Sequence, residues 1–411
     1  MPGLAHRAGT RFRALLGADS ATLRQGLAAL LVSSGGDLLA GLTLGAITGT
    51  LADLPGLLVL VPAAIGMRGN VFGALGSRFG TSIHTGTFSI SRRAETVVGQ
   101  NVIAAMALSV SVSFALAILA KAVSIGFGLA HTIPVSYFIV ISVVGGVISS
   151  VFVLLLTIGV AAGSVRFGWD MDNVAAPLVT AAGDMVTLPS LFVATFIVGP
   201  GLVTPILAVI LGALSVAALV AALRSGLPIA LRILRESVPV LLVCGLIDVV
   251  AGLTIEKRLE SFLAFPALLV LVPPFLEDTG ALGGILSARL ASKLHLGTIE
   301  PSNVPPRVAR DDFVLTFVFA VPVFTLVAIS SDVAANVAGL ASPGVLKMVA
   351  ISLIGGFMAT VVAIGIVYYG AIATYRLGLD PDNHGIPLIT SSMDLVGAFA
   401  LILAIVLVGV H

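Results

Sequence analysis

The chain has 411 residues, of which 58% are hydrophobic and only 10% are charged. Soluble domains carry about a quarter charged residues, so this composition excludes a soluble globular protein and indicates a membrane protein with many spans. A formal net charge of +1 argues against a nucleic-acid partner, and the single cysteine, Cys244, excludes an intrachain disulfide.

The chain begins with a short polar stretch, followed by apolar runs. Residues 1–24, which contain four arginines, are predicted to form a cytoplasmic lead. The runs that follow predict eleven membrane-spanning helices in the lipid bilayer, because about 20 helical residues cross about 30 Å of hydrocarbon. The predicted helices cover residues 25–51, 55–77, 96–121, 134–163, 173–198, 201–223, 228–254, 262–287, 309–331, 344–374 and 383–409.

The orientation follows from the lysines and arginines, which concentrate on the cytoplasmic side of membrane proteins. With the N-terminus inside, sixteen of the 21 basic residues fall in cytoplasmic segments and four fall outside. One more, Arg68, lies within the second predicted helix. The sequence therefore predicts a plasma-membrane protein with a cytoplasmic N-terminus and an external C-terminus.

The chain repeats itself after 210 or 211 positions. The segment DMDNVAAPLVTAAGDMVT at 170–187 matches DPDNHGIPLITSSMDLVG at 380–397, and PGLLVLVP at 55–62 matches PALLVLVP at 266–273. Asp37 falls on Asp248 in the same way. Each repeat therefore contains five predicted helices.

These repeats predict an all-α polytopic membrane fold. The predicted parts are the lead (1–24), the first repeat (25–198), a linking helix (199–225) and the second repeat (226–411). Because five is an odd number of crossings, the second repeat would enter the membrane from the opposite side to the first. The linking helix adds a sixth crossing, so both repeats start from the same side. The repeats are then parallel and related by a pseudo-twofold axis along the membrane normal. Such an internal pseudo-dimer favours a functional monomer.

The fifth helix of each repeat carries a polar stripe. Residues at offsets of 0, 4, 7 and 11 share one helical face, and the stripe ends in Thr180 and Asp184 in the first repeat and in Thr390 and Asp394 in the second. Both aspartates fall near mid-bilayer, where ionisable groups are costly and usually functional. Two facing carboxylates repel unless a cation or a proton lies between them. A divalent-cation site, a proton-carrying role and a packing role are all open at this point.

Four more acids stand where the fifth helices are predicted to meet the cytoplasm. Together they would concentrate cations at one mouth of the protein. Acids at helix N-termini are also ordinary caps, so recruitment and capping are both open. The mouth acids are Asp170, Asp172, Asp380 and Asp382.

The second helix of each repeat carries the remaining candidates. Asn70 offers an amide oxygen at membrane depth, and the second repeat has Ala281 in its place but adds Glu277 and Asp278. Two adjacent acids at membrane depth indicate a role in cation binding. Two roles are open for Asp37 and its counterpart in the second repeat: ion coupling, or a structural hydrogen bond to a neighbouring helix.

These residues resemble the membrane domain of the MgtE family of magnesium transporters. The resemblance lies in the pattern P-x₃-G-x₂-GN…SR…T…G at 62–86 and in LGLDPDNHGIPLITSSMD at 377–394. The two-copy layout is similar to the tandem branch, solute carrier family 41 and its prokaryotic relatives. The resemblance implies a divalent-cation pathway between the two halves, with Asp184 and Asp394 matching the family's central magnesium-site aspartate.

The leading hypothesis is a transporter or channel for Mg²⁺, with Mn²⁺ and Co²⁺ as further candidate substrates and no cofactor. Asp184 and Asp394 would bind the ion, helped by Thr180 and Thr390, while the mouth acids recruit it. The alternative is a proton- or sodium-coupled divalent-cation exchanger, in which an acid such as Glu277 carries the coupling ion. An enzyme is not expected, because the six histidines form no ligand-spaced pair.

Overall fold

The computed structural model describes residues 20–91, 93–129, 131–167, 171–377 and 386–410, and within these ranges the side chains of 20–32, 171–177 and 386 are not described. Every regular element in these ranges is an α-helix. Helices are the expected solution for so apolar a chain, because a backbone in lipid must satisfy its own hydrogen bonds. In chain order they are α1 Ser20–Ala46, α2 Thr48–Asp53, α3 Leu57–His84, α4 Val97–Gly126, α5 Val135–Phe167, α6 Met171–Thr195, α7 Val203–Leu223, α8 Pro228–Glu256, α9 Leu259–Ala264, α10 Ala267–His295, α11 Arg307–Val337, α12 Val345–Leu377 and α13 Ile386–Val408.

Ten helices with described side chains are long and apolar enough to cross a membrane, namely α3 to α8 and α10 to α13. The prediction of a polytopic helical membrane protein is therefore confirmed. α1 is 27 residues long, but many of its side chains lie outside the described set. Its place as an eleventh crossing stays a prediction.

Several helix ends differ from the predicted spans. α3 continues to His84 and α10 to His295, beyond the predicted ends at 77 and 287. Polar residues lower the hydropathy there, but the helices still have a buried face, which includes Phe79 in α3 and Leu290 in α10. The predicted helix 262–287 is wrong at its start, since α9 and α10 are separate helices. The predicted helix 25–51 likewise spans α1 and part of α2.

α3 and α10 form the interior of the molecule. Their first halves are buried at every position, from Leu57 to Ala64 and from Ala267 to Leu276. α3 packs against α4, α6 and α8, while α10 packs against α1, α11 and α13. Each of these central helices is thus covered by helices from both halves of the chain.

Two glycines allow helices from the two halves to cross closely. A Cβ atom on Gly252 of α8 would lie 2.6 Å from the carbonyl oxygen of Val59 on α3. A Cβ atom on Gly41 of α1 would overlap the carbonyl oxygen of Val270 on α10. Small residues let helix backbones approach in membranes, and at these two crossings only glycine leaves enough room.

Glu256, the last residue of α8, holds the beginning of α3. Its carboxylate accepts hydrogen bonds from the backbone amides of Gly56, at 2.7 Å, and Leu58, at 3.1 Å. Gly56 has a φ of 94°, a left-handed conformation that favours glycine. The carboxylate satisfies amides that have no partner within their helix. This end of the bundle is therefore closed by contacts between the two halves.

Arg68 is a cation buried within the bundle, with 1% of its surface exposed. Its Nε donates to Ser149 Oγ on α5 at 2.9 Å, and its Nη1 donates to the carbonyl of Ala64 at 2.9 Å. Its Nη2 lies 3.5 Å from Ser113 Oγ on α4. No salt bridge to Arg68 occurs among the described residues. Neutral acceptors therefore hold this guanidinium, which ties α3 to α4 and α5.

Candidate cation site

A small cavity of about 40 Å³ lies where the buried halves of α3 and α10 end. Its polar lining comes from four acids on four helices: Asp37, Asp184, Glu277 and Asp394. Its apolar wall includes Val61 and Pro62 of α3 and, 211 positions later, Val272 and Pro273 of α10. Equivalent positions of the two central helices thus form the wall around a cluster of carboxylates.

Two prolines explain why a cavity forms at this level. Pro62 and Pro273 lie inside α3 and α10 and face the cavity. A proline inside a helix has no amide to donate, and its ring displaces the preceding turn. Irregular backbone at membrane depth is tolerated where it lines a cavity.

Asp37 of α1 and Asp184 of α6 lie together in the cavity. They are 0% and 2% exposed, and their carboxylates lie within hydrogen-bonding reach of each other. Neither oxygen of Asp37, nor Oδ2 of Asp184, has a hydrogen-bond donor among the described residues. Since two ionised carboxylates in contact repel each other, this pair requires a cation or a shared proton.

Asp394 of α13 lines the cavity with Asp248 of α8 behind it. The Cβ position of Gly66 is 2.9 Å from Asp248 Oδ2 and 3.8 Å from Asp394 Oδ2, so both carboxylates surround one point. Asp248 is 1% exposed, and its Oδ1 has no partner among the described residues. Asp394 is partly exposed. Each predicted fifth-helix acid therefore has a buried aspartate from another helix beside it.

Glu277 and Asp278 are neighbours in α10 but have different surroundings. Glu277 lines the cavity and is partly exposed. Asp278 is 0% exposed and accepts hydrogen bonds from Ser34 Oγ of α1, at 3.1 Å to each carboxylate oxygen. One residue turns a helix by about 100°, and here Glu277 faces the cavity while Asp278 faces Ser34.

Three predicted ligands lie beside the cavity rather than in its lining. Thr180 Cγ2 is 3.9 Å from the Cβ position of Gly69, one turn along α3 from the cavity. Thr390 donates its hydroxyl to the carbonyl of Pro387 at 3.0 Å. Asn70 is half-buried on α3. None of these three residues is among the residues that line the cavity.

The four mouth acids are not located by the structure. Asp170, Asp380 and Asp382 lie outside the described residues, and only the backbone of Asp172 is described, in α6. Their proposed recruitment of cations stays a prediction.

The cavity continues into an open stripe on one side only. Positions 66, 70, 73, 74 and 77 of α3 are partly or fully exposed, as are the positions 211 residues later in α10. The Cβ positions of Gly73 and Gly284 have no atom within 4 Å. Because the first halves of both helices are buried, the cavity is open towards the His84 end of α3 and closed towards the Leu57 end.

The lining acids offer the chemistry of a hard-cation site. Carboxylate oxygens are the ligands that Mg²⁺ and Ca²⁺ prefer. Within the described part of the chain, no three His, Cys, Asp or Glu side chains stand in ready-made metal-ligand geometry. The carboxylates line one cavity, and they would have to move closer together to surround a cation.

Asp37 is the lining acid whose role the sequence left open. The sequence feature that pointed to a role for Asp37 was the recurrence of an aspartate, Asp248, at the equivalent position 211 residues later. The sequence did not show which neighbour its helix faces, and the structure places it against Asp184.

Comparison with known proteins agrees with this chemistry. The sequence profile of the MgtE family, described as a divalent cation transporter, matches residues 61–194 and 272–404. Solute carrier family 41 member 3 of Rattus norvegicus is 26% identical over 409 residues, which cover 92% of this chain and 85% of the relative. Solute carrier family 41 member 2 of Homo sapiens is 24% identical over 382 residues, which cover 84% of this chain and 63% of the relative.

No solved structure matches the chain significantly. The two matched segments contain all the lining acids except Asp37. Because these segments make up more than half of the sequence, the chain belongs to the MgtE family of divalent cation transporters.

Proposed function

We propose that the chain transports divalent cations, with Mg²⁺ as the principal substrate, through the cavity between α3 and α10. The observation that carries this proposal is the meeting of four carboxylates from four helices in one cavity inside a bundle of apolar helices. Ionisable groups there are costly and mark ion pathways. The pair Asp37–Asp184 has no donor for three of its four oxygens among the described residues, and a divalent cation would neutralise two such charges at once.

Asp184 and Asp394 are proposed to bind the ion. Thr180, Thr390 and Asn70 would line its approach, and the mouth acids would recruit it through their field. With the N-terminus in the cytoplasm, as the basic residues predict, the open side of the cavity faces the cytoplasm. The fold is then closed to the outside. Mn²⁺ and Co²⁺ are further candidate substrates.

The proposal includes a pseudo-twofold axis along the membrane normal, through the cavity. Contacts related by 211 positions support it, since Gly41 faces Val270 and Gly252 faces Val59. Helix packing is matched as well: α1 lies on α10 as α8 lies on α3, and α6 lies on α3 as α13 lies on α10. One chain would then supply both sides of the pathway and function as a monomer in the plasma membrane.

A proton- or sodium-coupled divalent-cation exchanger is the second candidate. The cavity and its immediate surroundings contain more carboxylates than one divalent cation would neutralise, and this supports the exchanger. Asp248 and Asp278 are buried next to the cavity but do not line it. A coupling ion would compensate some of this charge.

Mg²⁺ uptake into proteoliposomes tests the proposed site. Asp184→Asn and Asp394→Asn each remove one charged ligand while keeping its shape. The loss of a charge-assisted contact worth about 1.5–3 kcal/mol weakens binding about tenfold to hundredfold. We therefore expect each single variant to lose most of its flux and the double variant to show none above background.

Asp311→Asn is the matched control, because Asp311 is an exposed acid on α11. It should transport Mg²⁺ like the wild type. Normal flux in a correctly folded double variant would refute the central site. Imposed pH and sodium gradients separate the two mechanisms, since they drive an exchanger but leave a channel to follow the Mg²⁺ gradient and the membrane potential.

A further inference from the structure

The closed end of the bundle must open if an ion is to cross the membrane between α3 and α10. The first halves of both helices are buried at every position at this end. α8 lies on α3 and α1 lies on α10, and Gly252 and Gly41 bring the helix backbones into contact at these two crossings. At least one of the two crossings must therefore loosen before a path to the outside exists.

Glu256 joins the two helices of one crossing through a charged side chain. It lies one turn beyond Gly252 on α8, is 7% exposed, and accepts the hydrogen bonds from the backbone amides of Gly56 and Leu58 on α3. These bonds join residues 200 and 198 positions apart. Hydrogen bonds to a charged group are about twice as strong as neutral ones, and a buried carboxylate is costly without them. Separation of α8 from α3 would break both bonds together.

The equivalent position at the other crossing carries no side chain. The residue 211 positions before Glu256 is Gly45 on α1. The amide equivalent to that of Gly56 belongs to Ala267 of α10, and it donates to the carbonyl of Ala341 at 3.1 Å, within the same half. The start of α10 is thus held by its own half, whereas the start of α3 is held by the other half. Only the second arrangement makes the cap of a helix depend on how closely the two halves approach.

We infer that Glu256 is a gating residue: its hydrogen bonds to the start of α3 hold the pathway closed at this end and break when the end opens. The inference rests on the proposed function and adds to it a residue that controls access. Glu256 is eight residues from Asp248, a distance of about 12 Å along α8. It therefore acts on the passage to the cavity and leaves the binding of the ion to the cavity acids.

The native Cys244 reports whether this end is open. It is the only cysteine of the chain, it is 1% exposed, and it lies on α8 with its thiol near Asp248 and Asp394. A charged, membrane-impermeant maleimide is added to the outside of intact cells that express the protein. In the proposed orientation it reaches the thiol only through an opened Leu57 end. The measured quantity is the rate at which the subsequently purified protein becomes labelled, with Cys244→Ser as the background.

Three variants are compared with the wild type. Glu256→Gln keeps the shape of the side chain but removes its charge, and should raise the rate of labelling about tenfold to hundredfold, the effect of losing charge-assisted contacts. Glu260→Gln changes an exposed acid on α9 at the same end and should label like the wild type. Ser149→Ala loosens the bundle around Arg68 instead, and it should raise the rate far less than Glu256→Gln.

The outcomes separate a gating residue from a general loss of stability. An unchanged rate in correctly folded Glu256→Gln would overturn the inference, and so would an equal increase in Ser149→Ala. Fast labelling of the wild type from outside would also overturn it, because the end would then not be closed. Mg²⁺ uptake by the same proteins in proteoliposomes tests the proposed function separately. Absence of divalent flux in the wild type would overturn that function, while the labelling rates still decide whether Glu256 keeps this end closed.

Discussion

Replacing Ser149 with alanine tests how the guanidinium of Arg68 is held inside the membrane. Ser149 Oγ accepts the hydrogen bond from Arg68 Nε at 2.9 Å, and the guanidinium is 1% exposed. Without the hydroxyl, a charged donor in the bundle has no acceptor at that position. A hydrogen bond to a charged group contributes about 1.5–3 kcal/mol, so we expect Ser149→Ala to lower the free energy of unfolding by that amount.

The neighbouring residue offers a matched control. Ser150 is also fully buried, but its hydroxyl has no partner among the described residues. The two substitutions change helix propensity equally, so Ser150→Ala should leave stability unchanged or raise it slightly. Thermal or denaturant-induced unfolding of both variants in one detergent measures the difference. Equal losses of stability would refute the assignment of Ser149 as the acceptor that holds Arg68.

Two further predictions concern packing and a buried carboxylate with its ion pair. Gly252→Ala should destabilise the protein by about 1–3 kcal/mol, because the added methyl group would overlap the carbonyl of Val59. Gly159→Ala, at a position with no atom within 4 Å of its Cβ, should be neutral or stabilising by up to about 1 kcal/mol; identical shifts in unfolding temperature would contradict this. Asp312→Asn removes the carboxylate that Lys293 Nζ contacts at 2.6 Å and Arg289 Nε contacts at 3.0 Å. It should cost about 1–3 kcal/mol in low salt and less in high salt, and a salt-independent effect would argue against the ion pair.

The sequence predicted which helices bring their acids together, but it did not predict which of two adjacent acids faces the cavity. The pseudo-twofold relation of the repeats predicted that the fifth helices, with Asp184 and Asp394, would meet near one axis, and both aspartates line one cavity. The adjacent acids of α10 could not be separated in this way, because hydropathy does not show which side of a helix faces a cavity. Only the packing of α1, which brings Ser34 to Asp278, decides that Glu277 lines the cavity.

Helix ends were predicted less well, for a related reason. A hydropathy pattern ends where polar residues begin, whereas α3 and α10 continue until their buried faces end. The break between α9 and α10 lies at Pro266, within the predicted span 262–287, and this proline, the counterpart of Pro55, was a signal that the hydropathy pattern did not use.

The first helix of each half packs on the central helix of the other half, α1 on α10 and α8 on α3. This arrangement has a consequence for biosynthesis. The hydrogen bond from Ser34 to Asp278 joins residues 244 positions apart. A ribosome that adds about 5–20 residues per second makes that length in about 10–50 s. During this time the face of α1 that packs on α10, which includes Ser34 and Gly41, has no partner from the second half. The first half cannot complete its own packing as it emerges, so mutations in α10 should affect the lifetime of newly made chains as well as the transport of ions.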